Sequence, residues 1–183
     1  RWLHDPDADE GFVGAALSST MWHFHRNGSW QADQVIAVDG VELEGWPFPV
    51  PRLITDLLLS MDDRFLYLAN WLHGDVRQYD VSNPFEPTLT GSVKIGGIAR
   101  RQAHPRRPDK PLNGGPQMVE VSRDGRRVYI TNSLYTPWEA QFYPDGIRGW
   151  MTKLDVSASG GISFDDRFLL EFEEGLRPHQ VRL

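Results

Sequence analysis

The sequence contains no cysteine. Disulfides, thiolate metal sites and a cysteine nucleophile are therefore excluded from this segment, and the count says little about redox compartment. No apolar run is long enough for a membrane-spanning helix. Basic excess is also missing. The 19 Lys and Arg are outweighed by 25 Asp and Glu, giving a formal net charge of −6. Nucleic acid and anionic membrane surfaces are thus poor partners. There is no phosphate loop, no dinucleotide fingerprint and no nucleophile elbow. Carboxylates abound, but none forms a recognisable acid/base pair, and Asp62-Asp63 and Asp165-Asp166 read as turn residues. A secretory signal is absent too. The chain opens on Arg1 rather than Met, however, so that absence leaves the compartment open between cytoplasm and periplasm.

What is present points to β structure. Seven Trp, 17 Gly and 13 Pro in 183 residues favour strands and loops over helix bundles. The strongest signal is an internal repeat. Ser60-Met-Asp-Asp-Arg-Phe-Leu-Tyr-Leu-Ala-Asn70 matches Ser122-Arg-Asp-Gly-Arg-Arg-Val-Tyr-Ile-Thr-Asn132 at an offset of 122 − 60 = 62 residues. Each copy ends an apolar strand at Ser, turns on Asp-Asp or Asp-Gly, and runs back through β-branched and aromatic residues. Two four-stranded units follow. The first has strands near 54–59, 64–69, 76–81 and 88–95. The second has strands near 118–121, 127–131, 151–156 and 168–172, with a long insertion at 132–149. Residues 11–17, 21–25 and 34–38 read as the last three strands of an earlier unit. Adding 62 to Gln117 lands on His179, so Arg177-Pro-His-Gln-Val-Arg-Leu183 reads as the opening strand of a further one.

Repeats of this kind specify an all-β fold, a β-propeller of which the chain carries about two and three-quarter four-stranded blades of a seven-bladed ring. The chain divides into 1–50 (partial blade and loop), 51–113 (blade), 114–175 (blade) and 176–183 (first strand of the next). Because a propeller removes its sheet edges only by closing, further N-terminal blades of the same protein are expected as partners. Segments 39–51 and 98–113 read as irregular loops. The second holds the basic string Ala99-Arg-Arg-Gln-Ala-His-Pro-Arg-Arg-Pro108, either a contact surface or a solvated insertion.

Strands alternate in direction, so the loops between second and third strands share a face with the loops between blades. On that face lie Trp71-Leu-His73-Gly-Asp75, Gly114-Gly-Pro-Gln117 and Arg177-Pro-His179. Imidazoles gathered from different blades suit copper, zinc, iron or nickel. His73 and His179 are thus candidate metal ligands, although a hydrogen-bonded loop histidine is the competing reading. Trp71, Asp75 and Gln180 are candidates for supporting them, Asp75 by orienting His73. His23-Phe-His25 has chelating spacing but reads as the polar face of an outer strand. His4 and His104 read as polar-loop residues. No catalytic residue is assigned.

Several strings resemble the selenium-binding protein/methanethiol oxidase family, over essentially the whole chain. They include Gly11-Phe-Val-Gly-Ala-Ala-Leu-Ser-Ser19, Asn70-Trp-Leu-His-Gly-Asp-Val-Arg-Gln-Tyr-Asp80, Gly114-Gly-Pro-Gln-Met118 and Tyr129-Ile-Thr-Asn-Ser-Leu-Tyr135. The resemblance corresponds to the C-terminal portion of a family member. It implies a copper-dependent oxidation of methanethiol with O2 to formaldehyde, hydrogen sulfide and hydrogen peroxide, with His73 and His179 among the copper ligands. The small thiol and O2 would be its reaction partners. Selenium binding attributed to family cysteines does not carry over to a chain without them. Two other functions compete: a non-catalytic propeller binding module, and a selenium or thiol carrier.

Overall fold

A computed structural model describes residues 1–99 and 102–183. Its first sheet has three antiparallel strands in sequence order: β1 (Glu10–Ala15), β2 (Thr20–Asn27) and β3 (Ser29–Ala37). The second is a four-stranded meander of β4 (Ile54–Leu59), β5 (Phe65–Asn70), β6 (Asp75–Asp80) and β7 (Thr88–Lys94). The third repeats it with β8 (Met118–Val121), β9 (Arg127–Thr131), β10 (Trp150–Val156) and β11 (Ile162–Glu171). A one-turn helix, α1 (Thr136–Glu139), sits in the loop between β9 and β10.

The middle sheet explains the packing. Every residue of β5 is buried, and its side chains alternate between two cores. Phe65, Tyr67 and Ala69 pack with Val119, Val128, Ile130, Trp150 and Leu154 of the third sheet. Leu66 and Leu68 pack with Phe12, Met21 and Ile36 of the first. Full burial of a side chain such as Leu66 or Leu154 contributes roughly 1.5–3 kcal/mol. Three sheets stacked face to face about shared inner strands are the radial layout of propeller blades.

The repeat is visible atom by atom. Ser60 Oγ donates to Asp62 Oδ1 at 2.5 Å and accepts from the Phe65 N–H at 2.9 Å. Ser122 Oγ does the same with Asp124 at 2.5 Å and the Arg127 N–H at 3.1 Å. Asp63 and Gly125 occupy the same turn position, and both have positive φ, +56° and +68°. That shared left-handed conformation is why the turn takes Asp or Gly there. Neighbouring units are tied at the same step. The Val119 N–H donates to Asp56 Oδ2 at 3.0 Å, and the Leu183 N–H to Glu120 Oε1 at 3.4 Å. The C-terminal segment touches β8 through this contact, but residues 176–183 form no strand, unlike the opening strand expected there. At the other end, Trp2 bridges Gly11, and Arg1 Nε donates to the Leu57 carbonyl at 2.9 Å. Residues 1–3 thus lie inside β1, next to β4.

Five local expectations change. The last strand of the third sheet begins at Ile162, not Phe168, because a register shift opposite Thr152–Leu154 lets β11 bulge without ending. Asp165 and Asp166 lie in that bulge and are not turn residues. Asp165 pairs with Lys153, which holds its carboxyl down to about 2. His23 does not face solvent. It is fully buried, with Nε2 against Glu10 Oε2 at 2.7 Å and its ring edge-on to Phe85 of the β6–β7 loop. His104 is also fully buried: its Nδ1 accepts the Arg106 N–H at 3.1 Å, so Nε2–H donates to Thr152 Oγ1 at 2.9 Å. The described part of the basic loop is docked rather than free. Arg106 donates to the Arg167 carbonyl and Arg107 pairs with Glu171. Arg100 and Arg101 lie outside the described residues.

Candidate functional site

The candidate site is assembled from loops at one end of the sheets. β5 turns into β6 through Trp71–Gly74, and two close approaches lock that turn. Gly74 has φ +74°, and a Cβ there would come within 2.2 Å of the Gly96 carbonyl oxygen; one on Gly115 would come within 1.8 Å of the Trp71 oxygen. Glycine at these points lets three loop backbones cross. From the other side the segment before β4 is pinned to the turn. The Trp71 N–H donates to Leu53 O at 3.0 Å, and the Leu72 N–H to Arg52 O at 3.1 Å.

This clamp fixes His73. Its Nε2 lies 2.7 Å from the Val50 carbonyl oxygen. A carbonyl only accepts, so Nε2 carries the proton and the neutral ring keeps its lone pair on Nδ1. Burial pushes the His73 imidazolium below its usual range, with the Val50 hydrogen bond opposing. The ring is therefore neutral at neutral pH, the form that ligates metals. Val50 is itself held by a reciprocal backbone pair with Val41, at 2.9 and 3.1 Å.

Asp75 does not orient His73. Its carboxylate is 3% exposed and fully engaged elsewhere: by Arg52 Nη1 at 2.9 Å, Arg77 Nε at 2.7 Å and Asn70 Nδ2 at 3.4 Å. The orienting group is the Val50 carbonyl, a main-chain atom that no side-chain motif announces. Trp71 is fully buried, packed against Phe142 and Tyr143 of the β9–β10 loop, and its indole N–H lacks a partner among the described residues. The 132–149 insertion is thus packed onto the turn.

His179 lies beside the β9–β10 loop. Its Nδ1 donates to the Ser133 carbonyl at 2.9 Å, which leaves the lone pair on Nε2. It borders a cavity of about 300 Å3 together with Ser133, Thr136, Glu139 and Arg177. Glu139 is buried, pairs with Arg177 and accepts the Leu134 N–H at 2.6 Å. Gln180 is exposed and faces the Arg182 guanidinium, not His179. His73 and His179 share the loop face but are joined by no hydrogen bond, ion pair or ring contact, and His73 does not border the His179 cavity. Among the described residues no group of three or more His, Cys, Asp or Glu could hold a metal ion. The chain therefore presents two separate imidazoles, each with one nitrogen committed to a main-chain carbonyl and the other free. That suits part of a metal donor set rather than a complete one.

The Glu139–Arg177 pair and the Val50 carbonyl were not legible as site features in the sequence. Only the string Arg177-Pro178-His179 marks part of the cavity in advance.

Comparison with known proteins places this geometry in context. The chain is 46% identical to a methanethiol oxidase of Rattus norvegicus, covering all of this chain and 44% of the relative. It superposes with a TM-score of 0.93 on a hypothetical selenium-binding protein from Sulfolobus tokodaii, at 51% identity over all of this chain and 42% of the other. The Swd1 β-propeller domain of Myceliophteria thermophila aligns with a TM-score of 0.53 at 9% identity over 92% of this chain, a likeness of fold alone. The chain thus spans less than half the length of the curated relatives it matches. The β-propeller architecture, the whole-length similarity and a family match over residues 1–183 agree: the chain belongs to the family described as 56kDa selenium binding protein (SBP56).

Proposed function

We propose that this chain is part of a copper-dependent thiol oxidase, in which methanethiol, O2 and water give formaldehyde, hydrogen sulfide and hydrogen peroxide. One observation carries the reading. Two imidazoles on the same loop face, His73 and His179, are each locked by a main-chain carbonyl into a tautomer with one free lone pair. Relatives that carry the name methanethiol oxidase, 46% identical over the whole chain, support it. The remaining donors would come from the other blades of the protein.

When bound, copper would supply a redox couple between thiol sulfur and O2. The chain's own residues prepare the site. His73 stays unprotonated because it is buried, so it does not need to lose a proton before ligating. The Val50 and Ser133 carbonyls hold the two rings in fixed orientations and tautomers. The packed Trp71, Phe142 and Tyr143 keep water away from the His73 turn.

The test is copper content and methanethiol-dependent peroxide release of the full-length protein, compared with His73→Ala and His179→Ala. Loss of an oriented ligand is expected to lower copper affinity at least about tenfold and to lower turnover with it. Copper and turnover unchanged in both variants would refute the assignment.

A further inference from the structure

At the opposite end of the sheets from His73 and His179, the β4–β5 turn, the β8–β9 turn and the β10–β11 loop come together, because antiparallel strands alternate in direction. They border a cavity of about 300 Å3, lined by residues 60–62, 123–126 and 156–158 and by Phe65. That volume admits a small ligand. Met61, Phe65, Val156 and Ala158 make part of the wall apolar. The rest is charged, and its charges are unequally committed. The Ser60 and Ser122 hydroxyls donate to Asp62 and Asp124 at 2.5 Å each and hold both carboxyls below the usual range. Arg127 pairs with Asp124 at 3.1 Å. The Arg123 and Arg126 side chains are exposed and make no hydrogen bond or ion pair among the described residues, and Asp124 feels Arg126 only at longer range.

The junction one blade earlier shows the same place closed. There the loop Asp80-Val-Ser-Asn-Pro-Phe85 corresponds to Asp155-Val-Ser-Ala-Ser-Gly160. Phe85 lays its ring against His23 and His25, with centroids 4.7 and 5.1 Å apart. Arg64, which stands at the turn position of Arg126, pairs with Asp80 at 3.2 Å and donates to the Ala158 carbonyl at 3.3 Å. At the later junction Gly160 stands in place of the aromatic residue. A Cβ there would meet Thr90 Cβ at 3.1 Å and Phe65 Cε1 at 3.4 Å, so a side chain would press on the ring that lines the cavity. Arg123 and Arg126 make no bond like those of Arg64. The later junction therefore combines a small-residue loop, an open cavity and two uncommitted guanidiniums.

We infer that this cavity binds a small organic carboxylate, its charged group against Arg123 and Arg126 and its apolar body against Phe65, Val156 and Ala158. A guanidinium presents a planar fork of donors that matches a carboxylate. An uncharged ligand of the same shape gains only the apolar wall. An ammonium of that shape meets two like charges, and Asp124 is already paired. The site lies apart from His73 and His179 and does not depend on the oxidase reading.

The experiment uses the full-length protein and three probes that share one apolar body: 4-phenylbutyrate, 4-phenylbutan-1-ol and 4-phenylbutylamine. Binding is followed by saturation-transfer NMR titration. The carboxylate is expected to bind at least about tenfold more tightly than the alcohol, with the amine weakest. That preference should shrink as NaCl rises from about 0.05 to 0.5 M, since both guanidiniums are exposed. The double variant Arg123→Gln, Arg126→Gln is expected to remove the tenfold preference and to leave alcohol binding unchanged. Ala158→Trp fills the cavity and is expected to abolish binding of all three probes. Urea unfolding of each variant separates loss of the site from loss of the fold. The glutamine pair replaces exposed side chains, so it keeps the test decisive if Ala158→Trp fails to fold. Carboxylate and alcohol bound alike, the amine bound as tightly as the carboxylate, or carboxylate binding unchanged in a folded variant would overturn the site. So would a wild-type protein that binds none of the three.

Discussion

The Asp75 carboxylate is the hub of the charge network beneath the His73 turn, and the structure fixes the order in which its parts matter. Asp75 is 3% exposed and meets two guanidiniums that are 15% and 19% exposed. Asp75→Ala leaves Arg52 and Arg77 facing each other without an anion. Breaking a buried pair by removing one partner costs about 3–5 kcal/mol, and the partial exposure of both arginines places this case near 3 kcal/mol. Arg52→Met removes one charge-assisted bond, and Arg77 and Asn70 still hold the carboxylate. The Arg52 backbone contacts to Ser19 and Leu72 also remain. Its expected cost is about 1.5 kcal/mol. Once Asp75 is gone, removing Arg52 relieves like-charge repulsion. The double variant should therefore cost no more than Asp75→Ala alone, about 3 kcal/mol, instead of an additive sum of about 4.5 kcal/mol. Urea unfolding of the full-length protein, followed by tryptophan emission, gives all four corners of the cycle. An additive double variant, or an Arg52→Met variant less stable than Asp75→Ala, would show that the carboxylate is not the hub.

Three other outcomes follow from named contacts. Gly125→Ala is expected to cost about 1 kcal/mol in the same unfolding assay, since a Cβ there meets nothing within 4 Å and only the φ of +68° is penalised; Gly125→Asn should cost less. Burial holds the His104 and His73 imidazoliums below their ordinary value of 6.5. The neutral ring is favoured in the fold, so this stability is fully present above about pH 6.5 and is lost as pH falls below it. The urea midpoint should drop between pH 7.5 and 5.5, and drop less in His104→Gln; a midpoint rising on acidification would contradict this. Leu66→Ala, which empties a fully buried position between the first two sheets, is expected to cost about 3–5 kcal/mol by the same measure.

The legible part of this protein was its periodicity. The Ser-x-Asp turns at Ser60 and Ser122 and the alternation along Phe65–Asn70 follow from local rules of turn geometry and side-chain direction, and the sheets obey them. The Asn70-Trp-Leu-His-Gly-Asp75 string was legible too, as part of the family resemblance and as the loop between a second and a third strand. Side-chain partnership was not. Asp75, two residues from His73, turns to Arg52 and Arg77 because strand alternation and loop crossing carry it beneath the turn. His104 reads as a loop residue yet is buried, because a long connection folds back onto Thr152. The β11 bulge keeps Asp165 in a strand although its sequence resembles a turn. The sequence by itself determined the family, the blade grammar and which residues end on the loop face, since these depend on contacts near in the chain or on whole-length similarity. Only the tertiary structure decided which nitrogen of His73 and of His179 is free, and that Leu134 and Tyr135 border both a polar and an apolar cavity. Those facts depend on the Val50 and Ser133 carbonyls and on Leu53 and Trp138, atoms brought together from distant segments by packing.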